Sequence, residues 1–177
     1  MSRRKQPSVL STIAAGTAAG LVASWVKSQD EPLFQKLAER LVPPTPGRKG
    51  LPAADSQNPM VMPPALVVDE AHKAVTGTPA SMQQKSAGMQ VLHYGMGTAQ
   101  AVAYFLAARR WPGATVGFGT TFGAVAFLGT HASTLPLMGV QTPPKELPTS
   151  WWLWEGGSHL AFGATIEALR RLSTHWV

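Results

Sequence analysis

The sequence contains no cysteine, which excludes disulfides, thiolate catalysis and cysteine-type zinc sites without fixing a compartment. Charge is scarce too: 14% of residues are Asp, Glu, Lys or Arg, against 45% hydrophobic. That balance excludes a solvated, disordered chain and leaves either a soluble core or a membrane bundle. The signatures of soluble-enzyme chemistry are also missing, with no phosphate loop, HExxH, nucleophile elbow or dinucleotide fingerprint. The glycines of the run from Gly117 to Gly123 sit in an apolar stretch with no strand pattern before them, so helix packing accounts for them better than a nucleotide loop.

The few charges are segregated. No Asp, Glu, Lys or Arg occurs between Lys5 and Lys27, between Lys85 and Arg109, or between Arg110 and Lys145. Each gap is long enough to cross a hydrocarbon core of roughly 30 Å, which takes about 20 helical residues. The net charge of +6 does not point to nucleic acid, because the basic residues sit at the ends of apolar segments instead of along one face. The expected fold is therefore all-α: a polytopic membrane protein with four transmembrane helices, forming a single membrane domain over residues 1–177.

The spans fall at about 8–26, 87–108, 113–138 and 151–169, with a periplasmic segment over 28–86. A cleaved signal peptide is the alternative for the first span, but its apolar run is long, and Gly16 and Gly20 form a GxxxG pair suited to close helix contact. Gly117, Gly119 and Gly123 give the third span a similar small-residue face, and Pro136 is expected to kink or end it. Within the outer segment, Leu33, Phe34, Leu37 and Leu41 share one face while Gln35, Lys36, Glu39 and Arg40 face away, predicting an amphipathic surface helix that Pro43 and Pro44 end. A further short helix is expected from Ala65 to about Ala74.

Charge and tryptophan give the orientation. Arg3, Arg4, Lys5, Arg109, Arg110, Arg170 and Arg171 gather on one side, whereas the six basic residues of the 28–86 segment are balanced by six acidic ones. This is the positive-inside pattern for both termini in the cytoplasm of a bacterial inner membrane. Trp25, Trp111, Trp151, Trp152, Trp154 and Trp176 all fall near span ends, as an interfacial belt requires.

Ionisable residues inside apolar spans need a partner or a task. His93, His131, Glu155 and His159 all fall in the outer half of the predicted membrane, where they can meet in one layer. Three imidazoles and a carboxylate suit a divalent metal, a proton-titrating site or interhelical hydrogen bonding, and their spacing does not choose among these. Glu167, with Arg170 and Arg171 three and four residues on, reads as an ion pair at the cytoplasmic end.

The third and fourth spans carry His131 with Pro136-Leu137-Met138-Gly139, Thr142-Pro143-Pro144, Leu147-Pro148, Glu155-x-x-x-His159 and Ile166-Glu167-x-x-x-Arg171. With Gly20-Leu21-Val22 and His93, these resemble the YagU-like family of bacterial inner-membrane proteins. The resemblance implies a multi-pass inner-membrane protein and brings no catalytic mechanism with it. The expected function is non-enzymatic: a proton-responsive protein of acid or envelope stress, or an accessory subunit of a larger membrane complex. The alternative is divalent-metal binding or transport through His93, His131, Glu155 and His159. A membrane-embedded enzyme using Glu155 ranks last. The expected partners are the lipid bilayer and a homo-oligomer or larger assembly, with no nucleic acid.

Overall fold

The computed structural model describes residues 8–45 and 47–173. Arg3, Arg4, Lys5, His175 and Trp176 lie outside them. The described residues are all-helical, with no strand among them. Helix α1 (Val9–Leu41) opens on Ser8, whose hydroxyl accepts from the Ser11 amide. Then come α2 (Pro63–Thr76), α3 (Met82–Arg110), α4 (Thr120–Gly129), α5 (Leu135–Leu137) and α6 (Thr149–Ser173). A π-helical turn over Thr130–Thr134 joins α4 to α5.

Close contacts fix the helix directions. Gly16 faces Val102 and Gly20 faces Thr98, so α1 and α3 run antiparallel. Gly119 meets Gly163 and Gly123 meets His159, which makes α4 and α6 antiparallel as well. Gly97 lies near Phe162 and Tyr104 bonds to Glu167, so α3 and α6 are parallel. The result is an up-down-up-down bundle with Ser8, Arg109 and Arg170 towards one end. The core of this bundle is Ala19, Ala23, Tyr104, Phe105, Phe162 and Ile166.

Three expectations change. First, the chain does not leave the helix after Val26: α1 continues through Pro32 to Leu41, roughly 50 Å of helix at 1.5 Å per residue. The extension holds because Phe34 and Ala38 pack with Leu147, Trp151 and Trp154 in a second core. Gln35, expected to face away, is buried; its side-chain oxygen accepts from the Ser56 amide at 2.9 Å and its amide donates to Asp55 at 3.1 Å. Leu33, Leu37 and Leu41 remain exposed without Phe34, so the amphipathic helix is the end of α1, not a separate element. Secondly, the third apolar segment is not one regular helix. Residues 112–119 form a 3-10 turn and a left-handed stretch through Gly117, Phe118 and Gly119, and the helix that follows widens into the π turn four residues or so before Pro136, where proline's missing N–H already breaks the ladder. Thirdly, Trp151 and Trp154 are fully buried core residues, while Trp25, Trp111 and Trp152 are exposed. Burial of Trp151 and Trp154 departs from the exposure at span ends that a tryptophan belt calls for.

Among the described residues α1 alone is both long and apolar enough to cross a membrane. Polar positions such as Gln83, Gln84 and Lys85 in α3 and Glu155 and His159 in α6 dilute those helices, and α4 has ten residues.

Helix α2 ends on Gly77 in the left-handed conformation and lies on α3, with Val68 against Gly88. Asp69 clamps this pair: its carboxylate accepts from the Ala80 amide at 2.9 Å and pairs with Lys85 at 3.0 Å and Lys73 at 3.4 Å. The hydrogen bond from Lys85, aided by the Ala80 amide and Lys73, holds the Asp69 carboxyl below its ordinary value. A depressed carboxyl stabilises the fold above its unfolded pKa and loses that contribution as pH falls through its folded value. Amide protection in α2, once exchange rates are corrected for their intrinsic pH dependence, should therefore be constant from neutrality down to about pH 4, the ordinary Asp range, and fall below it. In D69N the acid-dependent step should be absent and exchange faster at neutral pH.

Candidate functional site

The chain places one dense polar cluster at the end of the bundle remote from Arg109 and Arg170. Glu155 comes from the second turn of α6 and is 1% exposed. Its Oε1 lies 3.2 Å from Lys27 Nζ on α1, 3.1 Å from His159 Nδ1 and 3.7 Å from His131 Nε2 in the π turn. Lys27 also pairs with Glu31 one turn further along α1. Around them Phe127 packs against both His131 and His159, whose rings stand edge to face at 5.0 Å.

Backbone and amide carbonyls fix the histidine tautomers. A carbonyl oxygen only accepts, so His93 Nε2 donates to Ser24 O and His159 Nδ1 to Glu155 O, each at 2.9 Å. Gln141 Nε2 donates to the His131 carbonyl, which turns its Oε1 to accept from His131 Nδ1 at 2.9 Å. In the neutral form each imidazole keeps its other nitrogen as an acceptor, Nδ1 in His93 and Nε2 in His131 and His159, and that of His131 faces Glu155.

A cavity of about 290 Å³ opens beside the cluster, with Lys27, Glu31, His93, His131 and His159 in its wall. A family described as a protein of unknown function, DUF1440, matches residues 37–168. The chain belongs to the DUF1440 family. No curated protein and no solved structure matches it. The matched stretch of this DUF1440 chain contains His93, His131, Glu155, His159 and Glu167 but begins after Lys27 and Glu31.

Of the four residues expected to converge, His131, Glu155 and His159 do, with ligand-type atoms within 4.8 Å of one another. His93 shares the cavity but spends its Nε2 on Ser24 and packs edge-on against Tyr94. Glu167 receives Arg170 Nε at 2.6 Å and Arg171 Nε at 2.7 Å. Tyr104 donates a further bond to it at 2.9 Å, and the carboxylate is completely buried. Arg171 also covers the Phe118 ring at 4.7 Å.

Sequence reasoning missed Lys27. Treated as the flank of a span, it is instead the buried counter-ion of Glu155. The available signal was Glu31, four residues on and so on the same helical face, which a helix continuing past Val26 would have paired with it. Lys27 also bears on metal chemistry, because its ammonium stands at the carboxylate oxygen a divalent ion would need.

Proposed function

We propose that this protein is a four-span inner-membrane protein, similar to the YagU-like proteins, whose Lys27-Glu155-His131-His159 cluster is a proton-titrating site. The observation that carries the reading is the inverted polarity of the bundle. The ionisable side chains of the apolar segments, Lys27, Glu155, His159 and Glu167, are buried, while Leu21, Val22, Val91, Val125, Leu153 and Leu160 face outward. A soluble bundle places charge outside and apolar groups inside; lipid reverses that preference. The glycine-lined α1–α3 and α4–α6 contacts are of the kind that lipid-embedded helices use. The length of α1 beyond the roughly 30 Å hydrocarbon core accommodates an outer extension that carries the 42–62 loop.

The up-down-up-down order supports both termini on one side, and the basic residues there support the cytoplasmic side. Proton sensitivity rests on the geometry of two imidazoles, His131 and His159, that face one carboxylate, since histidine is the side chain suited to taking up and releasing a proton. The divalent-metal alternative is weaker, since a metal would have to displace Lys27 from Glu155.

The absence of cysteine makes single-cysteine labelling clean. With a membrane-impermeant maleimide on intact cells, K49C should label and S173C should label only after lysis. The reverse pattern, or labelling of both, would sink the topology. M138C, at an exposed cavity-wall position, should label at a rate that depends on pH as the cluster takes up a proton. That dependence should disappear in H131Q. A pH-independent M138C rate, corrected for maleimide chemistry at an exposed control site, would remove the proton reading while leaving topology intact.

A further inference from the structure

The turn that carries His131 leaves one backbone acceptor without a helical partner. In a π-helical ladder each carbonyl accepts from the amide five residues on, and five residues after His131 stands Pro136, which has no N–H to give. The amide four residues on, that of Leu135, is already spent on the Thr130 carbonyl. Gln141 fills the gap. Gly139, left-handed with φ 73°, reverses the chain after α5, and the Val140 amide closes the reversal on the Leu135 carbonyl. Gln141 is thereby brought back over the turn, 4% exposed, and its side-chain amide donates to the His131 carbonyl.

A primary amide has one donor end and one acceptor end. With the NH2 committed to a carbonyl, Oε1 is the end left for the ring, and it accepts the proton of His131 Nδ1 at 2.9 Å. The neutral ring is therefore the Nδ1–H form, and its bare Nε2 points at Glu155 Oε1, 3.7 Å away. Two acceptors face each other there, and nothing bonds them until a proton arrives. His93 is the contrast, because donation to the Ser24 carbonyl makes it the Nε2–H form. The other ionisable groups around His131 are Glu155 and His159 on α6, Lys27 and Glu31 on α1, and His93 on α3. None of them bonds its Nδ1, so the tautomer rests on Gln141.

We propose that Gln141 is the positioning residue of the proton-titrating site: by holding His131 as Nδ1–H, it keeps Nε2, opposite Glu155, as the nitrogen that accepts the proton. The proton comes from water, forms the Nε2–H bond and leaves an imidazolium paired with the carboxylate. The inference rests on the titrating-site reading of the cluster and adds the atom at which the proton binds.

The tautomer is read directly from 15N-histidine spectra of the full chain in mild detergent, with the His131 signal assigned by its loss in H131Q. At alkaline pH, with every imidazole neutral, His131 should show a protonated Nδ1 and a bare Nε2, and His93 the opposite. In Q141L the neutral ring can carry its proton on Nε2 and donate to Glu155 without taking up another. His131 should then switch tautomer and bind the added proton at least about tenfold more weakly, the worth of one hydrogen bond to a charged group. Q141E, which keeps an acceptor opposite Nδ1, should hold the parent tautomer, whereas lost packing alone would not separate the two variants. A bare Nδ1 in the parent protein at alkaline pH would overturn the proposal, as would an unchanged tautomer or proton affinity in Q141L. If the alkaline tautomer is as expected but acidification never protonates Nε2, it is the titrating-site reading that fails, and the proposal falls with it.

Discussion

The Lys27→Met protein is expected to lose about 3–5 kcal/mol of stability, the usual cost of removing one partner from a buried ion pair. Methionine fills nearly the same volume, so the loss reports charge and not packing. It leaves Glu155, 1% exposed, and Glu31, 12% exposed at its side chain, without their shared cation. The double variant K27M/E155M should recover much of the loss, because an apolar pair of similar shape replaces the ionic one. The part not recovered belongs to Glu31, and E31Q added to the double variant should restore it. Reversible unfolding in detergent gives the three values. If K27M alone unfolds like the parent protein, water reaches the cluster and the ion pair is not a buried one.

Alanine at Gly123 is expected to do comparable damage by a different route. A β-carbon there would lie 2.1 Å from the His159 carbonyl oxygen and 3.1 Å from the Leu160 α-carbon. Both are backbone atoms of a regular helix and cannot move aside singly, so α4 must separate from α6. The expected cost is about 3 kcal/mol or more, at the upper end of the overpacking range. Because the contact is the carbonyl of His159 itself, the variant should also displace that imidazole from Phe127 and Glu155. Gly95 in α3 is the internal control: it is exposed, and nothing lies within 4 Å of its β-carbon position. Gly95→Ala should stabilise by about 0.5–1 kcal/mol through helix propensity. Equal effects at the two positions would mean that the close α4–α6 approach is absent.

The same two sites show how far the sequence could be read. Gly16, Gly20, Gly119 and Gly123 were recognisable as small-residue faces because glycine spacing on a helix is a local property, and each does meet a neighbouring helix. The Glu167 pair with Arg170 and Arg171 was legible for the same reason, lying within one turn of one helix. The stop at Pro43 and the helix near Ala65 to Ala74 follow from local backbone chemistry. Phe34, Gln35 and Lys27 were misread together. Whether the helix survives Pro32 depends on Trp151 and Trp154, more than a hundred residues away, and local pattern contains no trace of them.

The sequence by itself determined the all-helical class, the segregation of charge from apolar segments, the small-residue contact faces and the local ion pair at Glu167. Those are consequences of periodicity and side-chain chemistry over a few turns. Only the tertiary structure decided which polar groups meet. It set Lys27 on Glu155, separated His93 from His131 and His159, buried Gln35 and two tryptophans, and left Ser24 unpaired beside a cavity. The physical reason is that desolvation and ion pairing depend on distances between helices, and those distances are fixed by packing across the bundle, not by spacing along the chain.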